Sequence, residues 1–176
     1  MMFKRAPYNI IYADPPWLYN DAKHSLHPGY NQMTLSDICS MPINAIADKN
    51  CALFLWAVSP MLPEALQVIS AWGFEYKTVA FTWSKRTASG APRYNLGQWT
   101  MGNTENCLLG IRGRMHDKRI NKSVKQLVEA ERTTHSRKPI EVRDRIVELF
   151  GDLPRIELFA RDRADGWDAH GDQLEG

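Results

Sequence analysis

No apolar run in this sequence approaches the ~20 residues that a membrane-spanning helix needs, so a membrane role is not expected. Internal repeats, low-complexity tracts and linkers are also missing. Nothing therefore divides the 176 residues, and they are expected to form one domain, 1–176. Cysteine is scarce. Cys39, Cys51 and Cys107 are widely spaced, odd in number and without a CxxC pair, which argues against a disulfide framework or a zinc site. His24, His27, His116, His135 and His170 show no ligand spacing, and no metal is expected. Met1 to Arg5 is too short for a secretory signal and runs into Pro7. A reducing, cytoplasmic setting is the expectation.

Charge of one sign is also missing, since the formal net charge is +2. The distribution is uneven. Arg112, Arg114, Lys118, Arg119, Lys122 and Lys125 are opposed only by Asp117, so this segment carries +5 and the rest of the chain −3. A basic loop on a mildly acidic body reads either as a phosphate contact or as a solvated loop.

What is present is an ordinary globular composition, 44% hydrophobic and 24% charged, with apolar runs alternating with helical patterns. Tyr8 to Ala13, Cys51 to Val58, Lys77 to Trp83, Asn106 to Ile111 and Arg155 to Phe159 read as strands. Thr34 to Ile46 reads as a helix broken at Pro42, and Pro60 or Met61 to Trp72 as a helix ended by Gly73. Lys138 to Phe150 reads as an amphipathic helix, with Pro139 in its first turn. Ser84 to Thr104 and Thr133 to Ser136 read as loops. The alternation predicts an α/β fold, a mostly parallel sheet with helices on both faces. Ligands of such sheets sit beyond the carboxyl ends of the strands, where Asp14 and Arg161 fall.

The first strand runs into Asp14-Pro15-Pro16-Trp17. An amino group on an aromatic ring, such as that of adenine, is a poor nucleophile because its lone pair is delocalised. Two acceptors aimed at its N–H bonds hold it with the lone pair toward an electrophile. The Asp14 carboxylate supplies one. The Pro15 carbonyl supplies the other, aimed by proline geometry and free of helix or sheet bonds. Trp17 offers a stacking face, worth roughly 1–3 kcal/mol, and Asp14 stabilises the positive charge that develops. The alternative is a turn before a core tryptophan. Trp56, Trp72 and Trp83 fit a core, whereas Trp99 lies in a polar loop and fits a substrate contact. Glu157 sits in an apolar strand and calls for a ligand or an arginine partner.

Several segments, in order, resemble the adenine-N6 methyltransferases of the DPPW type, which include the catalytic subunit of the eukaryotic messenger-RNA adenosine methyltransferase. Asp14 to Trp17 matches the catalytic tetrad, and Tyr30 with Met33, Ser36 and Asp37 resembles the loop after it. Leu53 to Trp56, Trp72 to Glu75 and Trp83 to Lys85 resemble the segments that follow. Gly97 to Trp99, Glu105 and Cys107 to Gly113 match the second substrate loop and its strand. Ser136 to Pro139, Glu157 to Arg161, Gly166-Trp167 and Gly171 to Gln173 match the cofactor segments. The resemblance implies a Rossmann-like methyltransferase fold with permuted motif order and S-adenosylmethionine as cofactor. It implies that Asp14 meets the amino group of the cofactor and Lys138 its carboxylate, with Glu157, Phe159, Arg161, Asp172 and Gln173 completing that site. Eukaryotic members draw a further cofactor contact from a segment before the tetrad. Thirteen residues precede Asp14 here, so Asn9 or Ile10 is expected to supply it. Asp172 stands where asparagine is frequent.

The expected activity is methylation of adenine N6 in nucleic acid, DNA favoured over RNA. Tyr30, Lys85, Trp99, Glu105, Arg112, Lys118 and Arg119 are the expected substrate contacts. A homodimer or a partner subunit is left open. The rival is a catalytically inactive nucleic-acid-binding partner with the same fold, which the intact Asp14 and Trp17 disfavour.

Overall fold

The computed structural model describes residues 7–18, 31–97, 99–133 and 137–174. Among the described residues seven strands form one sheet: β1 (Tyr8–Ala13), β2 (Ala47–Ala57), β3 (Glu75–Arg86), β4 (Thr104–Arg112), β5 (Leu127–Glu131), β6 (Arg155–Leu158) and β7 (Asp168–His170). Their order across the sheet is β5-β3-β4-β2-β1-β6-β7. β4 pairs antiparallel with β2 and β3, and every other pairing is parallel. The carboxyl ends of the six parallel strands and the amino end of β4 therefore share one edge of the sheet. That edge carries the site.

Burial on both faces explains the unbroken apolar runs. Cys51, Leu53, Leu55 and Ala57 pack with Ile38, Ala65, Val68 and Ile69, which belong to α1 (Leu35–Cys39) and α2 (Leu62–Ala71). Ala52, Phe54 and Trp56 face the other way, onto Val142, Ile146 and Phe150 of α3 (Ile140–Phe150). The expected three-layer α/β arrangement is what forms. Among the described residues no helix is long and apolar enough to cross a membrane.

Element limits move for local reasons. The helix expected over Thr34 to Ile46 is capped by the Thr34 hydroxyl, which accepts the Asp37 N–H, but stops at Cys39. A 3-10 turn at Ile43–Ala45 follows Pro42. β3 runs three residues past Trp83, because Lys85 and Arg86 pair with β5. The loop expected from Ser84 thus begins at 87. β5 and β7 were not expected. Each is short and half exposed, without the apolar alternation that marks a strand. Cys51 and Cys107 are buried, and all three cysteines are free thiols.

Candidate active site

β1 delivers Asp14 to the sheet edge, and backbone bonds fix the residues after it. The Trp17 N–H donates to the Pro15 carbonyl at 2.9 Å, and the Met33 N–H donates to the Pro16 carbonyl at 2.9 Å. This corrects the expectation that the Pro15 carbonyl is unengaged: one of its lone pairs is taken by a turn bond and one remains. Trp17 is only 8% exposed. Its indole N–H reaches the Trp56 carbonyl at 3.3 Å, and its ring packs in the core while one part lines a cavity. It is a wall more than an open platform.

The two roomier cavities that Asp14 lines meet at that residue. The larger, about 660 Å³, has an apolar side formed by Met41, Ile43, Ile46, Leu158 and Phe159. Its polar side holds Asp14, Arg161, Asp172 and Gln173. The smaller, about 340 Å³, is lined by Asp14, Pro15, Pro16, Trp17, Trp83, Lys85, Glu105, Arg132 and Lys138. Asp14, Pro16 and Arg161 border both. The volumes lie within the ~300–1,000 Å³ of small-molecule sites. Phe159, at the end of β6, holds φ of 59°, a left-handed conformation that costs a non-glycine residue ~1–3 kcal/mol. Beside it, Gly171 lies so close that a Cβ would meet the Ala160 carbonyl oxygen at 2.2 Å. Only glycine lets the 171–173 turn close this side of the larger cavity.

Four charged side chains cross the floor of the smaller cavity. Lys138, just before α3, sits 2.8 Å from Asp14 and 3.2 Å from Glu105, and Lys85 sits 2.5 Å from Glu105. Burial pushes the Asp14 carboxyl above its ordinary value, against the pull of Lys138. Burial also opposes the charge on Glu105, but Lys138 and Lys85 hold it below the ordinary glutamate value. Lys138 loses solvation, yet Asp14 and Glu105 keep its ammonium above the ordinary lysine value.

A sequence profile of the MT-A70 family matches residues 8–173. The chain belongs to the MT-A70 family. MT-A70 methyltransferases take S-adenosylmethionine as methyl donor. The chain is 33% identical to the type II methyltransferase M.MunI of Mycoplasma sp, over 95% of this chain and 78% of that protein. It is 27% identical to the human N(6)-adenosine-methyltransferase catalytic subunit METTL3, over 96% of this chain but 28% of that protein. With the N6-methyladenosine RNA methyltransferase MTA1 of Pyricularia oryzae it shares 28% identity over 99% of this chain and 49% of that protein.

The MT-A70 fold brings Asp14, Pro15, Pro16, Trp17, Lys85, Glu105, Lys138, Phe159, Arg161, Asp172 and Gln173 to the two cavities. Other expected residues lie elsewhere. Asn9 and Ile10 are near the start of β1, about 17 and about 13 Å along the strand from Asp14 by its rise. Asn9 bonds the Asn50 carbonyl and Ile10 is buried in the core, so the expected cofactor contact there is overturned. Glu157 faces α3 and pairs with Arg143 at 2.8 Å. That is the arginine partner its burial required; Glu157 does not border the larger cavity but lines a narrow cleft of about 30 Å³ with Asp14, Lys138, Phe159 and Arg161.

Arg112 pairs across from Cys51, at the far end of β4 from Glu105, about 23 Å by strand rise. There it stacks on Phe74 at 4.8 Å and donates to the Gly73 and Trp72 carbonyls. Lys118 and Arg119 follow it to that end, where the Ile120 N–H meets the Leu149 carbonyl near the close of α3. The basic segment is therefore remote from Asp14, and its expected substrate contacts are corrected. Lys85 is buried in an ion pair rather than extended toward a phosphate. Trp99 is 95% exposed on the 87–103 loop. Tyr30, Gln98 and Ser136 lie outside the described residues. Met41, Ile43 and Ile46 escaped notice because a cavity wall and a core have the same apolar pattern. Arg132 was missed because it follows a strand that the pattern did not show.

Proposed function

We propose that this MT-A70 domain methylates the N6 nitrogen of adenine in DNA, with Asp14 as the group that serves both cofactor and base. The reaction class, S-adenosylmethionine-dependent methylation of adenine N6, goes with the family. The observation that carries the assignment of roles is that Asp14 borders two adjoining cavities.

The larger cavity suits the cofactor. Its apolar side and its polar side, with Arg161, Asp172 and Gln173, offer surfaces for the nucleoside. Where the two cavities meet, Asp14 and, 2.8 Å from it on the side of the smaller cavity, Lys138 present opposite charges that match an amino-acid end. Bound there, S-adenosylmethionine supplies an electrophilic methyl group on a sulfonium. The smaller cavity receives the adenine between Trp17, Trp83 and the charged floor. Asp14 accepts one N6–H, and the remaining lone pair of the Pro15 carbonyl accepts the other. Held so, the amine presents its lone pair to the methyl group. Formation of the N–C bond would break the S–CH3 bond and leave a neutral thioether. The positive charge would pass to N6 beside the Asp14 carboxylate, which stabilises it, and loss of one N6 proton to water would complete the transfer. No bond to the protein forms.

A base in a duplex reaches such a recess only if it leaves the stack, at a cost of a few kcal/mol. The 87–103 loop stands at the same edge, with Leu96 and Trp99 exposed, and would contact the opened strand. The greater share of the type II methyltransferase covered by this chain favours DNA over RNA.

The test uses the protein with labelled cofactor and matched DNA and RNA, followed by identification of the modified nucleoside. N6-methyladenine in DNA is the expected product, abolished by Asp14→Ala. Full activity of that variant refutes the assigned role, and methylation of RNA alone refutes the substrate.

A further inference from the structure

The charged floor of the smaller cavity holds more than the reaction uses. Lys85, Glu105, Lys138 and Asp14 alternate in sign and come from four separate segments: β3, β4, the turn before α3, and the end of β1. The Glu105 oxygens are divided, Oε1 going to Lys85 and Oε2 to Lys138. Lys138 is likewise divided between Glu105 at 3.2 Å and Asp14 at 2.8 Å. Side-chain exposure along the chain runs from 10% to 22%, so solvent screens these charges weakly. Two carboxylates thus compete for one ammonium, and Lys85 relieves one of them.

We propose that Lys85 is a positioning residue: by occupying one oxygen of Glu105 it leaves Lys138 on Asp14 and keeps Asp14 ionised. The assignment rests on the role given to Asp14 above. Among the described residues Lys85 has no other carboxylate partner, and its ammonium lies 5.4 Å from the Trp83 ring. Without it, Glu105 is a buried carboxylate sharing a single cation. Drawing Lys138 closer relieves that charge and strips Asp14 of its counter-ion. The other groups around Asp14 stay in place. Arg161 attracts its charge, while Glu157, itself paired with Arg143, opposes it. Tyr12 and Cys107 are neutral because burial raises both.

The test follows the Asp14 carboxyl by carbon NMR in aspartate-labelled protein, in the wild type, Lys85→Met, Lys85→Arg and Lys85→Met/Glu105→Gln. Asp14→Asn assigns the signal. Thermal melts confirm that each variant folds. The expected result is an upward move of the Asp14 titration by about one pH unit in Lys85→Met, the size of losing one close opposite charge. Lys85→Arg and the double variant are expected to return it to within a few tenths, because the first restores the cation and the second removes the competitor. No move in Lys85→Met, or a downward move with Glu105 taking up the proton instead, overturns the proposal. The acidic limb of kcat/KM on plasmid DNA separates the two readings. If the NMR titration moves and the rate limb does not follow, Lys85 positions as proposed and the role of Asp14 in the reaction is wrong.

Discussion

Gly171→Ala tests whether the larger cavity is the cofactor site. An added Cβ would stand 2.2 Å from the Ala160 carbonyl oxygen, 2.7 Å from its nitrogen and 2.9 Å from the Phe159 carbonyl carbon. Favourable contacts start near ~3.5 Å, so the 171–173 turn must move away from β6 by about 1 Å. No flexible side chain can absorb this, since all three atoms are backbone. The Ala160 N–H is bonded to the His170 carbonyl at 3.0 Å, and Phe159 already holds an unfavourable φ. Overpacking of this kind costs ~1–3 kcal/mol. If the turn yields, that cost appears as a roughly 5- to 150-fold loss of S-adenosylmethionine affinity. If it resists, the same cost appears as a lower Tm. Titration calorimetry and a thermal melt read the two. Gly102→Ala is the control, because a Cβ there meets nothing within 4 Å, and it is expected to leave both unchanged. Wild-type affinity and wild-type Tm in Gly171→Ala would show that the cavity wall is not built as described.

Further outcomes follow from the same geometry. Trp99→Ala is expected to weaken DNA binding by ~1–3 kcal/mol in a filter or anisotropy assay, the size of one stacked base. The pair Lys118→Glu and Arg119→Glu is expected to leave affinity and its salt slope unchanged, because these residues sit at the far end of the sheet. Trp17→Ala is expected to lower the Tm as well as the rate, by ~3–5 kcal/mol of lost core packing, and loss of rate with an intact Tm would restore an open stacking role. Because burial raises Asp14, activity is expected to fall with decreasing pH at a value above the ordinary ~3.9 of an aspartate. Protonating Asp14 relieves a buried charge and so favours the fold. The stabilisation from Glu105, whose folded value is lowered, persists above its ordinary value and is lost only as the pH falls through the lowered one. Rate is therefore expected to drop while the Tm still holds.

The central strands were legible because burial on both faces leaves an unmistakable apolar run, as in Leu53-Phe54-Leu55-Trp56. The edge strands β5 and β7 were not, because a half-exposed strand of three to five residues carries no such run. The tetrad was legible from its own chemistry, Lys138 only as a resemblance. Their approach to 2.8 Å depends on β1 and the start of α3 meeting at one edge of the sheet, and no local pattern reports that. The Pro15 carbonyl shows the same limit in reverse. Proline chemistry fixes its direction, but the bond from the Trp17 N–H arises from how the chain turns after Pro16, which residue types alone do not specify.

The basic segment shows why charge along a chain is a poor guide to charge at a site. Its five-unit excess admits a phosphate contact or a solvated loop, and it motivates the expected contacts of Arg112, Lys118 and Arg119. Topology decides otherwise. β4 runs antiparallel to its neighbours, so the strand that carries Glu105 at the cavity ends at Arg112 on the opposite edge. Every positive charge that follows directly is carried to that edge, and Arg112 spends its own donors on the Gly73 and Trp72 carbonyls. The cations that matter at the cavity are instead scattered in sequence, at Lys85, Arg132, Lys138 and Arg161. Each lies in the last residues of, or close beside, a secondary element that opens onto the same edge. A strand reversed between parallel neighbours thus separates the charge cluster of the sequence from the charge cluster of the site.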